Sequence, residues 1–278
     1  MTNLSLSISI LFLCVCVFAA ANPLDRDTRA IGLHRPYVHF LQSLLPQSAS
    51  FWMCRGLVEP ATLSFDVIPQ DVITDEGTEL FMPCHIFSSP QGMVQWYHDD
   101  QLISEDRAAT GELIGNQRVI GSGLIASQLR IPCVDERTAG NYRCEARTPC
   151  GQKISTSARV SVRKSKSGQT CGNKKSDNFA PYIKFATQSR IELAGNVVEL
   201  TCKAGGHPAP TIIWTKYTND DEEVPVRTFR REGEKQEILV VRSEFESASE
   251  SFKCTARNEF GEATAEPTII YVSDEEES

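Results

Sequence analysis

Apolar and polar residues alternate with the two-residue period of β-strands through most of the chain. In the segment FMPCHI (81–86), Met82, Cys84 and Ile86 fall on one face. In VVELTCKA (197–204), Val198, Leu200, Cys202 and Ala204 do the same. The stretches Leu129-Arg130-Ile131 and Tyr142-Arg143-Cys144-Glu145-Ala146 continue the pattern, and turn residues punctuate it at Glu76-Gly77, Ala139-Gly140, Ala194-Gly195-Asn196 and Arg257–Gly261. Pro69 is predicted to lie in an edge strand, where a missing amide is tolerated.

Two segments depart from strand periodicity. Leu4–Ala21 is an uncharged apolar run ending in three alanines. It reads as a secretory signal peptide spanning 1–21, cleaved before Asn22, and is short for a membrane span. Between Pro36 and Pro46, the residues Tyr37, Phe40, Leu41, Leu44 and Leu45 recur at helical spacing and predict a short amphipathic helix that packs on the first strand-rich domain. The acidic end, 274–278, has no hydrophobic tail of the kind a lipid anchor requires.

Of the 10 cysteines, two leave with the signal peptide, and the other eight are expected to form disulfides in an oxidising compartment. Their spacing repeats. Cys84 is followed by Trp96 after 12 residues and Cys144 after 60, and Cys202 by Trp214 after 12 and Cys254 after 52. This resembles the immunoglobulin sandwich, in which strands B and F are bridged and a strand C indole packs on the bridge. The resemblance implies an all-β chain of two tandem immunoglobulin-like sandwiches, at 62–164 and 180–273, after an extension over 22–61. Tyr142, two residues before its cysteine, is placed to form a tyrosine corner; Phe252 holds the equivalent position in the second repeat and has no hydroxyl for that bond.

Cys54, Cys133, Cys150 and Cys171 remain, and three pairings are arithmetically open. In such a sandwich Cys133 and Cys171 fall near one pole, and Cys54 and Cys150 near the other. A Cys150–Cys171 bridge would have to recross a strand of about ten residues, roughly 33 Å. The expected bridges are Cys54–Cys150 and Cys133–Cys171. A zinc site is the alternative, without a C-x2-C pair to support it. The first bridge would pin Phe51 and Trp52 beside the turn holding Cys150, making them a candidate aromatic contact site.

Charge narrows the function. A net charge of −8 opposes nucleic-acid binding. The linker, 165–179, is basic and includes Lys174 and Lys175, whereas 180–278 carries 11 basic and 19 acidic residues. The linker is either a solvated hinge or a contact for sulfated glycans or an acidic partner. Asp220-Asp221-Glu222-Glu223 lacks the ordered oxygen spacing of a calcium loop and is placed between strands C and D. His34, His39, His85, His98 and His207 are scattered, and no HExxH, GxSxG or phosphate-loop motif occurs, so neither an enzyme nor a metal or cofactor site is expected. The one N-x-S/T sequon begins at Asn3 and leaves with the signal peptide.

GHPAPTIIW (206–214) and CTARNEFGEA (254–263) resemble I-set immunoglobulin domains. Together with FDVIP (65–69), GLIASQLRIPC (123–133), Cys171 and GNVVELTC (195–202), they resemble the nematode zwei-Ig-domain secreted proteins. The layout is more distantly similar to the insect two-immunoglobulin protein that binds insulin-like peptides. The resemblance covers about 62–272. It implies a secreted, non-enzymatic protein that keeps axons and neuronal cell bodies in position through a cell-surface adhesion partner. The insect relative implies sequestration of an insulin-like peptide, and an adhesion molecule that binds its own kind is a third reading. Fold alone does not separate them.

Overall fold

The computed structural model describes residues 61–108, 121–165, 168, 170–173, 178–226, 237–242 and 248–273. The expected signal peptide and amphipathic helix, together with Phe51, Trp52, Cys54, Lys174 and Lys175, lie outside the described residues.

Among the described residues, eight strands build the first sandwich: β1 (Thr62–Val67), β2 (Val72–Asp75), β3 (Leu80–Ser89), β4 (Met93–His98), β5 (Gln101–Arg107), β6 (Gly123–Ile131), β7 (Gly140–Arg147) and β8 (Lys153–Arg163). One layer holds β1, β3 and β6, and the other runs β2-β8-β7-β4-β5. The inward faces close over the Cys84–Cys144 disulfide, with Trp96, Ile86, Ile125, Val94 and Val160 fully buried around it. The Trp96 indole Nε1 donates to Ser127 Oγ at 3.1 Å, which satisfies its polar atom inside the core. Tyr142 Oη donates to the Thr138 carbonyl at 2.7 Å and closes the corner before β7. Pro69 sits in the break between β1 and β2, not inside a strand. Because it has no amide to donate to a ladder, the edge strand ends before it and resumes as β2, which pairs in parallel with β8.

The second sandwich comprises β9 (Phe179–Thr187), β10 (Ser189–Leu193), β11 (Val197–His207), β12 (Thr211–Tyr217), β13 (Glu223–Pro225), β14 (Ile238–Arg242), β15 (Ser249–Asn258), β16 (Gly261–Ala265) and β17 (Thr268–Val272). Its inner residues, Val198, Leu200, Trp214, Leu239, Phe252 and Ile269, enclose the Cys202–Cys254 bridge. Gly195 turns the chain into β11 at φ 86°, a left-handed conformation that suits glycine. Asp220–Glu222 form a tight turn, and Glu223 opens β13, paired with β12. The acidic run therefore joins β12 to a further edge strand of the same sheet.

The sandwiches are not separate beads. Strand β6 of the first pairs antiparallel with β9 of the second, giving one six-stranded sheet of order β1-β3-β6-β9-β11-β14. Register explains how one sheet serves two cores. Ser127 faces Phe185, and Ala126 faces Ala186. Phe185 packs into the first core and Ala186 into the second, so the sandwiches lie on opposite faces of the shared sheet. A bulge at Lys184 then restores Ile183 to the second core.

Polar contacts lock this joint. Ile191 N donates to Ser122 O at 2.7 Å and Gln188 N to Leu124 O at 2.9 Å. Buried Arg190 meets Glu192 at 3.0 Å and donates to Gln91 Oε1 of the first sandwich at 3.0 Å. Asn196 donates to the same glutamate at 3.1 Å. On the other face, Asp106 of β5 overhangs the second sandwich and meets Lys184 at 3.2 Å and Lys203 at 3.5 Å. A third disulfide, Cys133–Cys171, ties the end of β6 to the segment before β9 with 5.7 Å between Cα atoms.

Candidate protein-recognition surface

Because the two cores occupy opposite faces, each half of the shared sheet leaves its other face toward solvent. In the second sandwich that face is polar along β11, with half-buried Glu199 and Lys203 on either side of buried Thr201. In the first it is not. The outward residues of β3 are Phe81, Pro83, His85 and Phe87, register partners of Arg130, Gln128, Ala126 and Leu124 on β6. A strand with one solvated face should carry polar side chains there, so apolar residues on both faces mark a surface built for contact.

Phe81 is 38% exposed and Ile68 beside it 41%. With Val72, Leu80 and Pro83 they line a shallow groove where β1 gives way to β2. Toward β9 the strip ends in an aromatic cluster. Phe81 meets Tyr182 edge to face, with centroids 5.5 Å apart, and the Arg130 guanidinium lies 3.5 Å over the Phe179 ring. Arg130 is held from behind by Glu79. Tyr182 covers the Cα of Gly205, where a Cβ would stand 2.4 Å from the ring, so β11 needs glycine at that point. Burial pushes the His85 imidazole below its ordinary value, against the opposing charge of Asp66, so His85 is neutral at pH 7 and adds no charge to the strip.

The residues singled out by sequence fall in several separate places. Cys84, Cys144, Trp96 and Tyr142 meet in the first core, and Cys202, Cys254, Trp214 and Phe252 in the second. Cys133 and Cys171 are joined. Cys150 is also in a disulfide, and its partner is none of the other described cysteines, which are all bonded among themselves. Cys54, Phe51, Trp52, Lys174 and Lys175 fall outside the described residues. Among the described residues, no group of three or more His, Cys, Asp and Glu side chains could hold a metal ion. The strip itself was missed, although LFMPCHIF (80–87), nearly unbroken in apolar residues, carries its signal.

Family models agree with this architecture. Residues 63–162 match the immunoglobulin I-set domain and 180–258 an immunoglobulin domain. The chain is a tandem immunoglobulin-domain protein. This tandem protein is similar to Zwei Ig domain protein zig-3 of Caenorhabditis elegans, at 27% identity over 94% of this chain and 97% of that protein. It is also similar to zig-4 of the same animal, at 27% identity over 87% of this chain and 92% of that protein. Among solved structures it resembles the neural ectodermal development factor IMP-L2, with a TM-score of 0.57 and 22% identity over 78% of this chain and 98% of that one. That likeness is one of fold. Among the described residues no helix is long and apolar enough to cross a membrane.

Proposed function

We propose that this is a secreted, non-enzymatic recognition protein that holds axons and neuronal cell bodies in position by binding a neuronal adhesion molecule through the β3 strip. The observation that carries this reading is the outward row Phe81, Pro83, His85 and Phe87. Two aromatic rings on a rigid sheet supply contact area at little cost in side-chain entropy, as binding hot spots do. The chain is similar to the Zwei Ig domain proteins across nearly its whole length, and the neural role is what the family resemblance of the sequence implies. In this reading the chain is organised as a signal peptide over 1–21, an extension over 22–61, sandwiches at 62–164 and 180–273 joined by the 165–179 linker, and an acidic tail.

The test compares the secreted full chain with Phe81→Ser/Phe87→Ser for binding to the surface of cultured neurons. Binding that falls at least about tenfold in the variant, with thermal unfolding unchanged, supports the reading. Equal binding by the variant, or none by either protein, overturns it. The same strip could bury an apolar face of a small folded hormone, so the second reading is sequestration of an insulin-like peptide. One-to-one saturation by a purified insulin-like peptide, lost in the same variant and without neuronal binding, would replace the first reading.

A further inference from the structure

The outward face of the other layer of the first sandwich has a different character. Its cations are Arg107, Arg143, Arg147, Lys153, Arg159 and Arg163, and its carboxylates are Glu105, Glu145 and, paired with Arg163 at the β2 edge, Asp75, in a chain whose net charge is −8. Arg107, Met93, Arg147 and Lys153 form one register row across β5, β4, β7 and β8. Beneath this row, Glu145 is only 1% exposed, although it belongs to the outward face. It is roofed by cations: Arg143 at 2.6 Å, Arg147 at 2.6 Å and Lys153 at 2.9 Å. Burial pushes its carboxyl up, but hydrogen bonds from Lys153 and Arg147 outweigh that and hold it below the usual carboxylate range.

One buried anion therefore orders three long cationic side chains and leaves them in excess. Arg147 and Lys153 remain about half exposed, at 45% and 50%. The Arg143 guanidinium lies 3.9 Å over the Tyr97 ring and reaches Asp100, at the turn after β4, at 3.4 Å. Tyr97 pairs with Leu102 of β5, which is 51% exposed. Tyr, Met and Arg are the residues enriched at protein interfaces, and ordered guanidinium groups suit carboxylates.

We propose that this face is a second docking surface, and that its occupant is an acidic protein surface whose carboxylates meet the arginine row while an apolar residue meets Met93, Tyr97 and Leu102. Charge complementarity steers such a partner to a cationic face of a chain that is acidic overall. The apolar centre is what a sulfated polysaccharide would not use.

The test uses the full secreted chain and three immobilised probes matched in charge: a glutamate–tyrosine copolymer, polyglutamate and heparin. The variants are Arg107→Glu/Arg159→Glu, which leaves the Glu145 cradle intact, and Tyr97→Ser/Leu102→Ser. The copolymer should bind at least about tenfold more tightly than either other probe and lose that margin in both variants, with unfolding midpoints unchanged. Heparin binding as tight as the copolymer and unaffected by Tyr97→Ser/Leu102→Ser would assign the face to polysaccharide and overturn the proposal. Absence of binding to all three probes, or binding insensitive to Arg107→Glu/Arg159→Glu, would overturn it too. Neither variant touches Phe81 or Phe87, so this outcome is independent of the β3 strip.

Discussion

Phe185 and Ala186 are adjacent in sequence and both fully buried, yet they belong to different hydrophobic cores. Consecutive residues of a strand point to opposite faces. A sheet continuous between two sandwiches can therefore give each of them one wall, provided that they sit on opposite sides. The price of this economy is independence, because neither core is complete without β9 or its neighbours.

Phe185→Ala tests that dependence. Removing a fully buried phenylalanine ring costs about 3 to 5 kcal/mol through lost transfer energy and the cavity left behind. Phe185 belongs to β9 but fills the first core, so both sandwiches should weaken together. Urea unfolding followed by Trp fluorescence should show the transition at lower denaturant. Hydrogen exchange should show faster exchange in β6 as well as β9. If protection in β6 were unchanged, the joint would not be an energetic unit.

The Cys133–Cys171 bridge spans 38 residues and encloses all of β7 and β8. In the chain-entropy account, a loop of that size contributes about 4 kcal/mol by restricting the unfolded chain. Cys133→Ser/Cys171→Ser should lower stability by about that amount. The shared sheet should persist, since the pairing of β6 with β9 is made by backbone hydrogen bonds and buried side chains that the bridge does not supply. Unfolding curves give the first quantity and amide protection at Ala126 and Ala186, which face each other across β6 and β9, the second. Loss of that protection in the folded variant would show that the disulfide sets the domain arrangement.

The two cores are legible in sequence because each rests on local parity. Met82, Cys84 and Ile86 share a face, and a tryptophan follows each first cysteine at the same distance. The union of β6 with β9 is not, because its register joins residues about sixty positions apart and no turn between them fixes it. The run FAPYIKFAT announces a strand with apolar residues on both faces, but not which core receives each one. The recognition strip is hidden for a related reason. Parity identifies the inward residues of β3, whereas Phe81, Pro83 and Phe87 between them become a surface only beside β6. Composition likewise gives an overall negative charge, while the cationic face exists only where β5, β4, β7 and β8 are brought into register.

Tyr142 gives a pH signature. Its hydroxyl is buried in the corner, and burial first, then the charges of Asp99 and Asp135, push its pKa up to about 12. The unfolded chain loses this proton near pH 10. Between those values the folded state binds more protons than the unfolded one, so stability falls as pH rises. The loss should approach about 2 kcal/mol at the upper end of the window. Tyr142→Phe should cost about 1 kcal/mol at pH 7, from the hydrogen bond to Thr138, and should remove this part of the alkaline decline. Urea unfolding of both proteins at pH 7 and pH 11 measures the difference. Equal alkaline losses would show that Tyr142 is not the group responsible.

Arg190 and Glu192 test whether the joint relies on buried charge. Both are almost fully buried, at 3% and 2% exposure; Arg190 also donates to Gln91 and to the Glu199 carbonyl, and Asn196 donates to Glu192. Replacing Arg190 with Met takes the guanidinium away from buried Glu192, and replacing Glu192 with Leu takes that carboxylate away from buried Arg190. Each single change should cost about 3 to 5 kcal/mol. The double variant removes both charges, and apolar replacements of similar size recover much of the loss, so its cost should fall well below the sum of the two. Arg190 also spans to Gln91, so Arg190→Met should speed exchange of the Ile191 amide, which is bonded to Ser122. A double-mutant cycle by urea unfolding reads the coupling. Strictly additive losses would mean that the two charges are stabilised separately by their other partners and that the pair does not act as a unit in the joint.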